Sequence, residues 1–179
     1  MDSVRVPHAP YNNKHVRAVQ TSSALQKPRF VIVGFQTNRQ NKKDQNPSYF
    51  DRAKLRDVKL FLNSQCYPYA YLNLYITNNQ LADLYDMYSL FQSEYHSKEE
   101  DPLLSRSEFL NYAPLAIINC SKQSELLKTG TVDVRLEFES CENFPAGTTA
   151  YCLILHDRIV DYSPLSGTVV QRVQKRHVD

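Results

Sequence analysis

The sequence predicts an all-β fold, two packed antiparallel sheets with a short two-helix insertion, and three observations predict it. The run Val132-Asp-Val-Arg-Leu-Glu-Phe138 alternates strictly: Val132, Val134, Leu136 and Phe138 fall on one face, Asp133, Arg135 and Glu137 on the other. That period of two marks an antiparallel strand with one buried face and one wet face. Further apolar runs of strand length surround it, punctuated by Gly, Pro and Asn. Only the stretch from about residue 79 to residue 112 changes to the helical period.

Taken in order, residues 1–27 hold Pro7, Pro10, Asn12, Asn13 and a Thr21-Ser22-Ser23 cluster with little apolar periodicity, and read as a flexible basic arm or linker. A single domain is expected over 28–165. Its first strand, Arg29-Phe-Val-Ile-Val-Gly-Phe35, is apolar on both faces and so central, and Gly34 marks a bulge or a close backbone approach. Residues 37–54 form a long polar loop. Leu55 to Leu62 is a strand with Val58, Leu60 and Leu62 inward; Gln65 to Pro68 is a turn, and Tyr69 to Ile76 an aromatic-rich strand.

The first helix follows, with Leu81, Leu84, Tyr85, Tyr88, Phe91 and Tyr95 at helical spacing. Thr77-Asn-Asn-Gln80 resembles a capping box at its start, with Asn78 or Asn79 as alternative caps. The second helix opens on Ser105-Arg-Ser-Glu108, the S-x-x-E capping pattern, with Leu104 and Phe109 placed as a hydrophobic staple, and Pro114 stops it. Strands are then expected at Leu115–Cys120, Thr131–Glu139, Thr148–His156 and Arg158–Tyr162, with Gly130, Pro145-Ala-Gly147 and Asp157-Arg158 as turns. Seven strands with one helical excursion fit a jelly-roll β-sandwich. The predicted core is Phe30, Ile32, Val58, Leu60, Val134, Leu136, Leu153 and Leu155, and residues 166–179 are a basic tail.

Composition bounds the function. At 179 residues the chain can bury a substantial core, and its 42% hydrophobic share is ordinary for a soluble globular protein. Tyrosine is the outlier, with 12 Tyr, 8 Phe and no Trp; sheet composition alone accounts for it, or an interface role. The net charge of +2 is too small to imply a polyanion partner by itself. Its distribution is uneven: Arg5, Lys14, Arg17, Lys27 and Arg29 in the first thirty residues and Arg39, Lys42, Lys43, Arg52, Lys54 and Arg56 after the first strand, against an acidic middle. Solvated surface explains each cluster; the alternatives are nucleic-acid binding by the arm or contacts between oppositely charged regions of neighbouring subunits. Arg5, Lys14 and Arg17 are the candidates for such contacts.

Cys66, Cys120, Cys141 and Cys152 form no CxxC pair, and Cys66, Cys120 and Cys152 lie in or beside apolar runs as buried free thiols do. No signal-peptide core and no membrane-spanning run is present, so an intracellular location, not a secreted or membrane one, is expected.

No nucleotide, hydrolase or zinc-protease motif occurs. His156-Asp157 could begin a metal site, but ligands at strand spacing are missing, so it reads as a turn. Glu137 and Glu139 share a strand face, and a retaining glycosidase needs two carboxyls about 5–5.5 Å apart; exposed strands carry such pairs so often that the pair reads as surface. No catalytic, cofactor or metal residue is assigned, and the expectation is a non-enzyme.

Several segments together resemble the second roll of the double jelly-roll major capsid proteins of polinton-like and adintovirus-like elements. They are Pro28-Arg-Phe-Val-Ile-Val-Gly-Phe-Gln-Thr37, Val58-Lys-Leu-Phe-Leu-Asn-Ser64 with Tyr67-Pro-Tyr69, Pro114-Leu-Ala-Ile-Ile-Asn-Cys-Ser121, Thr129-Gly-Thr-Val-Asp-Val-Arg-Leu-Glu-Phe138, Thr149-Ala-Tyr-Cys-Leu-Ile-Leu-His-Asp157 and Tyr162-Ser-Pro-Leu165. The resemblance implies a virion shell protein, made in the host cytoplasm or nucleus, that associates with itself, in that family as trimers forming pseudo-hexameric capsomers. It covers one roll where that family has two, which leaves an excised domain, an endogenised copy or a single-roll protein as alternatives. The other functional expectation is a monomeric β-sandwich binding module for peptide, glycan or nucleic acid.

Overall fold

The computed structural model describes residues 2–5, 14–19, 28–39, 42–63, 65–67, 82–97, 99, 102–121, 134–156 and 160–171. Ten strands and two helices are described among them. In chain order the strands are β1 (Asp2–Arg5), β2 (Lys14–Val19), β3 (Pro28–Thr37), β4 (Leu55–Leu62) and β5 (Gln65–Tyr67); after α1 (Ala82–His96) and α2 (Arg106–Tyr112) come β6 (Ala116–Asn119), β7 (Val134–Ser140), β8 (Thr148–His156), β9 (Val160–Ser163) and β10 (Thr168–Gln171).

The first eight strands make two four-stranded antiparallel sheets, ordered β1-β8-β3-β6 and β2-β7-β4-β5. The pairing is nested: β4 with β5, β3 with β6, β2 with β7 and β1 with β8. Such nesting is what results when one long antiparallel hairpin, with β4–β5 at its tip, is rolled until its two arms wrap around a common core. The two sheets are the two walls of a jelly roll, and α1 and α2 fill the connection between β5 and β6.

Three expectations change. Residues 2–5 and 14–19 are edge strands of the roll, so the first 27 residues are not simply an arm. Edge strands are held by main-chain pairing, and a segment such as Asp2-Ser-Val-Arg5 carries no apolar alternation to betray it. Gln65–Tyr67 is a strand of a tight hairpin with β4, not a turn; the reversal comes two residues earlier, where Asn63 takes a φ of 54°. The segment beyond residue 165 contains β10, paired with β9. The expected strand at Tyr69–Ile76, the cap at Thr77–Gln80, and Leu81, Val132 and Asp133 lie outside the described residues.

The core sits between the sheets: Val31, Val33 and Phe35 of β3, Ala116 and Ile118 of β6, Ala150 and Cys152 of β8 face Val58, Leu60 and Leu62 of β4 and Val134, Leu136 and Phe138 of β7. Phe35 packs edge-on against Phe138 at 5.1 Å and stacks on Phe144 at 5.6 Å. Val58, Leu60, Val134 and Leu136 are therefore core as predicted. On β3 and β8 the predicted phase is wrong: Ile32, Leu153 and Leu155 are half-buried on the outer face, and Phe30, though buried, meets a helix and not the core cluster. A run apolar on both faces has no alternation to set the phase, and a one-residue slip exchanges the faces.

The helices fill the β6 side of the roll. Leu84 is buried in the core cluster at the start of α1, while Phe91 near its end meets Phe30 at 5.0 Å. Tyr88 stacks on Phe109 of α2 at 4.9 Å, and the Tyr85 and Tyr88 hydroxyls bond the carbonyl and the amide of Leu104, each at 3.1 Å. No helix among the described residues is long and apolar enough to cross a membrane.

Candidate functional site

The roll presents two outer sheet faces of opposite chemistry, and the sequence explains both. On β7 the polar half of the alternation, Arg135, Glu137 and Glu139, points away from the core, and the register with β4 sets it beside Phe61, Lys59 and Asp57. Ion pairs run along this face: Lys59 with Asp57 at 3.1 Å, Arg135 with Glu137 at 3.4 Å and Arg56 with Glu139 at 3.4 Å. The Arg135 guanidinium lies over the Phe61 ring at 4.3 Å, a contact worth about 0.5–1 kcal/mol when exposed. Surface pairs of this kind stabilise little individually; together they make a polar face whose charges are largely matched within the chain. Glu137 and Glu139 are each engaged by their own arginine, an arrangement that fits surface and not an acid–base pair.

Cys66 belongs to this polar face, since β5 pairs it with Phe61, and it is half-buried where a buried thiol was expected. Partial burial pushes its thiol up, Lys59 opposes, and Asp57 adds to the rise. Cys120 and Cys152 are buried as expected, and Cys141 is exposed.

The outer face of the other sheet is apolar. Ile32 pairs with Ile117 on one side and Leu153 on the other, and Phe30 pairs with Leu155. One end of this face is covered by α1: Phe91 and Tyr95 lie on Phe30 at 5.0 and 5.9 Å. The other end is covered by the loop after β3. A Cβ on Gly34 would lie 2.6 Å from both Leu115 Cδ2 and Phe50 Cδ1, which identifies the close approach as the reason for glycine there. Gln36 ties the same loop down by donating to the carbonyls of Pro47 and Tyr49 at 2.7 and 2.9 Å.

The register divides Arg5, Lys14 and Arg17 between the two sheets. Arg5 stands opposite Thr149 in the first sheet, whereas Lys14 and Arg17 stand opposite Glu139 and Leu136 in the second. The basic loop is largely matched within the chain: Arg39 pairs with Asp51, Lys54 with Glu142 at 2.6 Å, and Arg52 donates to the Leu110 carbonyl at 3.0 Å and Asn111 Oδ1 at 2.7 Å. Among the described residues no three His, Cys, Asp or Glu side chains gather as metal ligands. His156 Nδ1 is buried without a hydrogen-bond partner at the end of β8, and Asp157 lies outside the described residues.

The strand expected at Arg158–Tyr162 is β9; sequence reasoning missed the apolar outer face and β10, the second strand of its hairpin. The signal for the first was present in the two-sided apolar runs of β3 and β8. For the second it was the β-branched Thr168-Val-Val170 following Gly167, whose φ of 64° closes the turn.

No curated protein and no solved structure matches the chain. The family model described as a double jelly roll-like domain matches residues 1–160. That span takes in β1 and β2 as well as the rest of the eight-stranded roll, and so the chain belongs to the double jelly roll-like domain family.

Proposed function

We propose that this protein is a structural shell component, a capsid-type jelly roll that associates with copies of itself. The observation that carries the reading is the family match over residues 1–160, because double jelly-roll-like domains are typical of viral capsid proteins. The complete nested roll supports it: a closed eight-stranded unit offers two broad outer faces to neighbours. The resemblance of several segments to polinton-like and adintovirus-like capsid proteins supports an origin in that group, and on this reading the virion is the destination and the host cytoplasm or nucleus the site of synthesis. An endogenised copy of such a gene has the same predicted behaviour. The reading involves no catalytic step and no cofactor.

The test is mass in solution, by sedimentation velocity or light scattering, over a wide range of concentration, with electron microscopy of whatever assembles. Growth of defined oligomers with concentration is the expected result. A chain that stays monomeric at high concentration and low salt, yet binds DNA or a glycan tightly, would replace the shell reading with the binding-module one. For DNA, capture through Arg5, Lys14 and Arg17 would then give a log affinity that falls linearly with log salt.

A further inference from the structure

We draw no further inference here: the strongest candidate, the exposed apolar surface that Tyr162, Leu165 and Val169 give the β9–β10 hairpin, carries nothing because nothing in the structure shows what covers it.

Discussion

Gly34 and Cys120 show how single side chains report the packing around them. At Gly34 the backbone of β3 lies so close to Phe50 and Leu115 that a methyl group would sit 2.6 Å from each. Gly34→Ala should cost about 1–3 kcal/mol as the loop is forced off the sheet, measured by urea unfolding; an unchanged midpoint would mean that Phe50 moves freely. Cys120 is buried in the core cluster, and that burial pushes its thiol from the ordinary 9.0 up to about 12. Folding therefore favours the protonated thiol. This contribution is fully present below pH 9 and is lost as pH rises from 9.0 toward 12, where the unfolded chain gives up its proton first. Thiol labelling at neutral pH should accordingly reach exposed Cys141 first and Cys120 only on unfolding.

Among the elements, α2 is the one whose start is best defined. Glu108 N–H donates to Ser105 Oγ at 3.4 Å, while the Ser105 amide donates to Glu108 Oε2 at 3.0 Å. Ser105→Ala should destabilise by about 1 kcal/mol. The Ser105 hydroxyl and amide hold the Glu108 carboxyl below the usual glutamate value. Its contribution is present above the ordinary pKa and is lost as pH falls through the lowered one, so NMR of the Ser105 amide should show the cap loosening in acid. The edge strands make a second prediction. Deleting residues 1–19 removes β1 and β2 and bares the edges of β8 and β7; exposed strand edges template aggregation. The shortened chain should lose stability and aggregate, and equal melting of the two chains would mean that these pairings add nothing.

For the molecule as a whole, nesting makes the fold depend on contacts between distant residues. Asp2 pairs with Cys152 and Lys14 with Glu139, so the outermost layer forms only after most of the chain is available. Such non-local pairing slows folding. It also means that a chain ending before β8 should lack a cooperative transition, because β3 would have no partner along its length on one side and β1 none at all. A sharp denaturant transition in a chain truncated after residue 147 would contradict this. The contrast between a polar, internally matched outer face and an apolar one gives the roll two chemically distinct sides.

The sequence by itself determined the all-β class, the amphipathic phase of β4 and β7, the capping box at Ser105 and the stop at Pro114, and it marked Gly34 as either a bulge or a close approach. Each is a local matter: alternation, a cap or a missing Cβ acts over a few residues and leaves a mark there. The family resemblance was legible for the same reason, in short segments of the central strands. Tertiary structure alone decided the rest. It chose Val31, Val33 and Phe35, not Phe30 and Ile32, as the core face of β3, because a run apolar on both sides gains its phase only from the sheet it faces. It drew β1 and β2 into the roll, since edge strands are held by main-chain hydrogen bonds that any sequence can make. It also separated Arg5 from Lys14 and Arg17 onto two sheets, because proximity in a rolled hairpin follows the register of pairing and not the order of residues.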